Sequence, residues 1–278
     1  MKRSFAINMV LLALLGAMLF FGGRALGGQT SIYWEGGRPH VNKNATQTLS
    51  VTEQLSFTEL EVRSSIGEIR IQSGRSFGIE GKYSNGAQPQ YQLEGNALKV
   101  FDDGAGEHMK YNVGIMTFDA NELVITIPDS MTLSRVDLGA DVGSVHVDGL
   151  KAQSLTAAAK MGEVELKRIA CDELSARTDV GSIDLKEAIV QKRTVLDTAT
   201  GEINANGTFL GEAEMSADVG EIEVRMDQER SAYIVDAKSG LGSTKILPNH
   251  DKDTDDYGPN QLTLRTDIGG IRVRFKGQ

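Results

Sequence analysis

Acidic side chains recur at fixed distances after a repeated glycine. Glu163 and Glu165 come one and three residues after such a glycine, as do Glu221 and Glu223. If the repeats stack on one another, the candidate interaction ladder comprises Glu163, Glu165, Asp184, Glu202, Glu221 and Glu223. Stacked carboxylates can attract a cationic partner, and pairs of them can hydrolyse glycosidic bonds. Since long Glu side chains can also splay into water, an ordinary solvated face is the alternative.

A second acidic cluster lies in the stretch NHDKDTDDYGPNQ. Its members are Asp251, Asp253, Asp255 and Asp256. A calcium loop that begins with alternating Asp requires Gly at its sixth position and Glu at its twelfth. Here those positions hold Asp256 and Leu262, so the sequence favours an acidic surface loop and leaves only a weak calcium candidate.

Other signs of chemistry are absent from the sequence. The four histidines are dispersed, without the spacing of a zinc site, and no phosphate-loop, nucleophile-elbow or dinucleotide motif occurs. Cys171 is the only cysteine, and its neighbours Ile169 and Ala170 predict a small buried thiol. We therefore predict a protein that is not an enzyme and uses no catalytic residue, no metal and no cofactor.

The glycines that precede the acidic residues define an internal repeat. They are Gly67, Gly143, Gly162, Gly181, Gly201, Gly220, Gly242 and Gly269. From the second to the sixth, the intervals are 19, 19, 20 and 19 residues, and a period near 20 is typical of a solenoid. Glycine suits a tight corner that needs a positive φ or leaves no room for a Cβ atom.

Small aliphatic residues alternate on both sides of each glycine. Pairs such as Ile183 and Leu185 follow it by two and four residues, and pairs such as Leu174 and Ala176 precede it by seven and five. This alternation predicts strands with one face turned to a core. We therefore predict an all-β fold: a β-solenoid, similar to a parallel β-helix, with coils of about 19–20 residues.

Less regular parts of the repeat can also be placed. A third element in each coil is expected to carry Leu150, Ile169 and Ile189. The coil of Gly201 is the weakest, because Thr194 replaces a core aliphatic residue. The cationic segment RTDIGGIRVRFKGQ is expected to blunt one end of the stack, since open strand edges invite pairing with other chains.

The first residues have the pattern of a membrane segment. Lys2 and Arg3 precede an uncharged, apolar run over residues 5–23, which is long enough to span a bilayer as one transmembrane helix. We expect a single-pass protein of the bacterial cell membrane, with its N-terminus in the cytoplasm and its body outside. Cleavage near the small residues of RALGG would make the protein secreted.

The domain organisation follows from these patterns. We expect a membrane anchor or signal segment over 1–28, a polar connector over 29–48 and the solenoid over 49–278. Within the solenoid, we expect irregular coils over 76–130, regular repeats over 131–246 and C-terminal coils over 247–278. The strand patterns QYQLEGNALKVF and NELVITIP support coils in the irregular part.

The net charge of −9 argues against a nucleic-acid partner, because affinity for phosphate backbones comes mainly from Lys and Arg. The partners we expect are the bacterial membrane, through residues 5–23, and an unknown protein or polymer of the cell envelope.

The chain resembles the bacterial putative-adhesin domain family, a domain of unknown function. The resemblance is carried by the repeats, by the segment NELVITIPDSMTLSRVDLGADVGSVHVDGLKAQSLTA and by the preceding membrane segment. The resemblance covers roughly residues 49–278 and rests on the repeat pattern. It implies a repeat fold and a location in the envelope, and some members are similar to proteins encoded near envelope-stress regulators. Family turns often read Ser-Ser/Thr-Gly-Asp, whereas here they read Asp-Val-Gly-Ser or Lys-Met-Gly-Glu.

Three functions are compatible with the sequence. The leading one is a membrane-anchored, extracytoplasmic module for interaction, adhesion or stress sensing in the envelope. A carbohydrate-active β-helix enzyme is the main alternative, although Phe209 and Tyr233 are the only aromatic residues over 129–247. A scaffold that assembles through its strand edges is the third.

Overall fold

The structure is a computed structural model of the 278-residue chain. It describes residues 31–35, 38–41, 47–53, 55–83, 89–102, 112–114, 121–247 and 258–276, together with a few positions between 16 and 23. The calcium candidate Asp251, Asp253, Asp255 and Asp256 lies outside the described residues, as does most of the apolar run 5–23. Within the described part, no helix is long and apolar enough to cross a membrane.

From residue 31 onward, the regular elements of the described residues are strands, with one 3-10 helix at Arg230–Ala232. The first strands are β1 (Ser31–Glu35), β2 (Arg38–Val41), β3 (Gln47–Val51), β4 (Glu59–Ile66), β5 (Glu68–Gly74), β6 (Gly78–Tyr83), β7 (Pro89–Glu94), β8 (Ala97–Asp102), β9 (Asn112–Gly114) and β10 (Glu122–Pro128). The next are β11 (Leu133–Val142), β12 (Val145–Asp148), β13 (Lys151–Met161), β14 (Val164–Lys167), β15 (Ala170–Val180), β16 (Ile183–Thr200) and β17 (Ile203–Phe209). The last are β18 (Glu212–Val219), β19 (Ile222–Met226), β20 (Tyr233–Leu241), β21 (Thr244–Leu247), β22 (Asn260–Ile268) and β23 (Ile271–Arg274).

The regular strands stack as parallel coils. One row of strands leads into the corner glycines: β4, β11, β13, β15, the second half of β16, and β18 pair in parallel in that order. A second row leaves them: β5, β12, β14, the first residues of β16, β17 and β19. The all-β prediction is confirmed, and these parallel coils are those of a β-solenoid.

Each corner glycine lies directly against the corner of a neighbouring coil. A Cβ atom on Gly181 would lie 1.8 Å from the carbonyl oxygen of Gly162, and one on Gly220 would lie 1.6 Å from that of Gly201. Gly181 and Gly220 also have φ values of +146° and +151°. Both the close approach and the backbone conformation therefore exclude a side chain at this corner.

The core lies between the rows of strands and is built mainly of small aliphatic residues. Ile183 and Leu185 after the corner, and Leu174 and Ala176 before it, are all at most 2% exposed. On the third side of the coil, Leu150 and Ile169 are buried, but Ile189 is exposed and the adjacent Val190 takes the core position.

The coil that ends at Gly201 is irregular for a visible reason. Against β15, the register of β16 shifts by one residue between Cys171 and Glu173, which accounts for the 20-residue interval. Thr194 is fully buried in this coil, and its hydroxyl has no hydrogen-bond partner. The predicted weak point of the stack is thus an unsatisfied polar group in the core.

The order of the last two coils in space differs from their order in the sequence. β22 pairs with β18 on one side and with β20 on the other, and β23 lies likewise between β19 and β21. The final coil, with Gly269, is thus inserted between the coils of Gly220 and Gly242. The expectation that RTDIGGIRVRFKGQ blunts the end of the stack is wrong, since this segment is internal and β20 and β21 form the end.

The other end of the stack is closed by antiparallel strands. β8 and β10 form a first parallel coil beside β4 and β5, and β7 pairs antiparallel with β8. β6 crosses antiparallel between β10 and β3. Beneath them, the rings of Phe57 and Phe77 pack edge to face with centroids 5.3 Å apart. The strands predicted in the irregular region are present, but only β8 and β10 continue the parallel stack.

Residues of the expected connector form strands of their own. β1 and β2 pair antiparallel, and β9 adds to the other edge of β1. This three-stranded sheet is separate from the twenty-stranded sheet of the coils.

Candidate functional site

The outward residues three positions after the corner glycines stack in register. Their order across the sheet is Arg70, His146, Glu165, Asp184, Asn204, Glu223, Arg272 and Lys245. The acidic members of the predicted ladder that fall in this row, Glu165, Asp184 and Glu223, are therefore neighbours in one continuous series with cations at both ends.

Glu165 has a partner side chain on each side. Lys186 Nζ donates to it at 2.5 Å, and His146 Nδ1 lies 3.2 Å from its other oxygen. The hydrogen bond from Lys186, supported by His146, lowers the pKa of Glu165 below its usual value. This carboxylate is consequently already paired within the molecule.

The other two acidic members of the row have partners as well. Asp184 accepts a hydrogen bond of 3.1 Å from Asn204. Glu223 lies 3.0 Å from Arg225, with Arg272 and Arg274 at 3.7 and 3.8 Å. This part of the predicted ladder is thus an internally bonded network on the sheet surface, in which Glu165 and Glu223 are neutralised by cations.

The members of the ladder directly after the corner differ from these. Among the residues that the structure describes, Glu163, Glu202 and Glu221 form no ion pair and no side-chain hydrogen bond. They lie at the edge of the sheet, beside the corner itself. The predicted six-residue ladder thus separates into a paired row and an unpaired row.

A row of exposed apolar side chains runs along the same corner, at the position immediately before each glycine. We call it the corner ridge. In stacking order it consists of Ile66, Val142, Met161, Val180, Thr200, Val219, Ile268 and Leu241. The apolar members are 39% to 69% exposed, from Val142 to Leu241. With coils spaced by about 4.8 Å, the ridge is about 34 Å long.

Carboxylates line both sides of the corner ridge. Four lie one residue after the glycine and four lie two residues before it: Glu68, Glu163, Glu202 and Glu221, and Asp141, Asp179, Asp218 and Asp267. They mostly alternate from one side to the other with each successive coil.

Few of these flanking carboxylates are neutralised. Glu68 pairs with Arg70, Asp141 with Lys160 and Asp179 with Arg177. None of the remaining five forms an ion pair with a described residue, although Lys186 attracts Glu163 at longer range. The ridge is therefore an apolar line between two acidic margins.

The sequence alone does not reveal the ridge. In seven of the eight repeats, the residue before the glycine is aliphatic or Met. Strict alternation along the preceding strand places this residue on the same face as core residues such as Leu174 and Ala176, so the pattern assigns it to the core. The structure instead exposes it in repeat after repeat, and that exposure identifies the ridge.

Other candidate chemistry does not converge. Cys171 is buried, as predicted, and burial raises the pKa of its thiol to about 12. The described part of the chain contains no group of three or more His, Cys, Asp or Glu side chains placed to hold a metal ion. A shallow cleft of about 560 Å³ lies over Gly139 and Ala158, beside Arg63, which makes a two-pronged contact with Asp137.

The fold defines a class of all-β proteins made of stacked parallel coils with a glycine corner. The chain belongs to the Toastrack DUF4097 family, whose model matches residues 57–247. The predicted resemblance is thereby confirmed. No curated protein matches the chain significantly in sequence.

Solved structures with partial similarity come from several bacteria. One is a putative adhesin from Bacteroides fragilis, 12% identical, with 82% of this chain and 96% of that chain covered and a TM-score of 0.45. A putative lipid binding protein from Parabacteroides distasonis is 16% identical, with 84% and 98% covered and a TM-score of 0.42. A putative cell adhesion protein from Clostridium sporogenes is 13% identical, with 83% and 100% covered and a TM-score of 0.38.

Proposed function

We propose that the protein is a non-catalytic interaction module of the bacterial cell envelope, and that the corner ridge is its binding surface. The observation that carries this proposal is the line of exposed apolar side chains along one corner, which is interrupted only at Thr200. Soluble monomers rarely leave contiguous apolar surface uncovered unless it binds something. Burying such side chains in a complex supplies the main favourable free energy of association.

The margins of the ridge define the chemistry of the partner. Glu163, Glu202, Glu221, Asp218 and Asp267 form no ion pair with any described residue. Such margins repel anionic lipid headgroups and nucleic acids, and they attract Lys and Arg. The ridge therefore fits a protein segment with an apolar stripe between basic residues.

The envelope location is part of the proposal and rests on the sequence. Lys2 and Arg3 followed by the apolar run 5–23 would anchor the protein with its coils outside the cytoplasm. An outward-facing module of this kind can join the membrane to an envelope protein or polymer, for adhesion or for sensing envelope stress. Cleavage of the segment would release the same module.

The test is binding of the purified protein to envelope proteins of its own organism, followed over a salt series. In the ridge variant, Met161, Val180 and Val219 are each changed to Thr, the residue that Thr200 already places in this row. Removing this apolar surface is expected to weaken binding about a hundredfold, or about 3 kcal/mol.

Two charge variants separate recognition from general acidity. In one, Glu163, Glu202 and Glu221 are changed to Gln, which is expected to weaken binding and flatten its salt dependence. In the matched control, Glu173, Glu212 and Glu214, which are exposed on the strands before the corner, are changed to Gln. Unchanged binding by the ridge variant, or equal losses in both charge variants, would refute the ridge as the binding surface.

A further inference from the structure

Within the described residues, the end of the stack formed by β20 and β21 is open. β20 pairs only with β22, and β21 pairs only with β23, among the strands that the structure describes. Their outer edges therefore present backbone N–H and C=O groups that no described strand pairs, although the carbonyl of Asp236 accepts a hydrogen bond from the Arg265 side chain. This end differs from the opposite one, where antiparallel strands close the core.

The core is also incompletely covered at this end. Val235, Ala237 and Ile246 occupy the positions that are buried in the interior coils, yet here they are half-buried. An additional strand laid along β20 would cover Val235 and Ala237 as a neighbouring coil does elsewhere. Both the backbone and the core side chains of the coil formed by β20 and β21 thus lack a neighbouring strand on one side within the described structure.

We propose that a second copy of this chain occupies the open end, with the β20 strands of the two copies paired antiparallel about Ala237. In this register Asp236 of each copy lies opposite Lys238 of the other, and Val235 lies opposite Ser239. In this register, residues at equal distances from Ala237 in the two copies lie opposite one another. The core-facing residues of one copy therefore meet the core-facing residues of the other. The two cores become continuous across the junction.

The charges on the outer face of β20 favour this register. Lys238 has a side chain that is 71% exposed, with only a loose contact of 3.4 Å to Asp236 of its own strand. Asp236 is also bound by Arg265 on β22. Adding Lys238 of the second copy on the opposite side of Asp236 gives an alternating series of charges across the junction.

The pairing closes on itself. It is isologous, because the same edge is used on both copies, so it ends at a dimer. Growth into filaments would require the opposite end as well, where β7 and the crossing strands β3 and β6 occupy the equivalent edges. The structure thus favours a closed dimer over an end-to-end scaffold.

The test uses the full chain in detergent with a single added cysteine and a mild thiol oxidant. Ala237→Cys places the new thiol opposite itself in the second copy, where paired Cβ atoms are close enough for a disulfide, and we expect a covalent dimer. Ser239→Cys lies two residues away on the same face but opposite Val235, so it is the matched control and is expected to stay monomeric on a denaturing gel. Native Cys171 is buried.

A charge variant tests the register independently of any cross-link. Lys238→Glu turns both cross-copy pairs from attractive to repulsive, and it is expected to raise the dimer dissociation constant about tenfold in sedimentation measurements. Lys151→Glu makes the same charge change on an interior coil and is expected to have no effect. A wild type that stays monomeric at high concentration, a dimer indifferent to Lys238→Glu, or equal cross-linking of both cysteine variants would overturn the proposal.

Discussion

Replacing Gly181 by Ala tests the physical reason for the repeat. Gly181 lies in the middle of the stack, where its carbonyl neighbour Gly162 would be 1.8 Å from the added Cβ atom. Real Cβ atoms do not approach an oxygen so closely, so the two coils must separate by more than 1 Å, on the order of the missing distance. This separation would stretch the backbone hydrogen bonds on either side of the corner. Two of them, from Gly162 N–H to Val180 O and from Val164 N–H to Ser182 O, are each 3.0 Å long.

The cost can be estimated from these contacts. A residue with a side chain in this backbone conformation costs about 1–3 kcal/mol. Weakening two hydrogen bonds adds about 1 kcal/mol for each of them. We therefore expect Gly181→Ala to reduce the free energy of unfolding by about 4 kcal/mol.

Urea unfolding followed by circular dichroism measures this loss, with hydrogen exchange to show whether the coils on either side of Gly181 open first. Gly95→Ala is the matched control: Gly95 has φ +63°, but no atom lies within 4 Å of its added Cβ. The control is expected to lose only about 1 kcal/mol. If the two variants lose the same stability, the close approach of stacked corners does not explain the repeated glycine.

Two further outcomes follow from buried groups. Thr194→Val is expected to stabilise the protein by about 1 kcal/mol, because the hydroxyl that it removes has no hydrogen-bond partner. Thr198→Val is expected to destabilise it by about 1–2 kcal/mol, because the Thr198 hydroxyl lies 2.9 Å from that of Thr178 and 3.2 Å from the carbonyl oxygen of Gly181. Urea unfolding of both variants measures whether the two changes in stability have opposite signs. Burial raises the pKa of Cys171 to about 12, above its value of about 8.5 in the unfolded chain. The stability that the buried neutral thiol contributes is therefore fully present below pH 8.5 and is lost as the pH rises toward 12. A Cys171→Ala variant should lack that part of the pH dependence, and the native thiol should react with a thiol reagent only after unfolding.

The repeat could be predicted from the sequence because it is enforced locally. A glycine at each corner and aliphatic pairs such as Ile183 and Leu185 have one compatible arrangement, and it is repeated often enough to be recognised. The exposed Ile189 shows the limit of this reasoning, since a register shift of one residue exchanges the core and surface faces of a strand.

The candidate site was only half predictable. The stacking of Glu165, Asp184 and Glu223 follows from the period. The neutralisation of Glu165 and Glu223, however, depends on side chains such as Lys186 and Arg272, which belong to other coils. The position of the final coil between two earlier ones could not be predicted either. The strands β22 and β23 have the same alternation of core and surface residues as every other coil, so the pattern does not say which coils they lie between. Only the packing of the whole chain determines that position.

The inserted final coil has a consequence for how the chain can fold. Coils up to β19 need only segments already synthesised, whereas β20 and β21 pair in the described structure only with β22 and β23, which come later in the chain. At about 5–20 residues per second, a ribosome takes about 1–5 s to pass from the end of β21 to the end of β23. Throughout that interval the edges of β18 and β19 stay open, and they are the natural place for a chaperone to act.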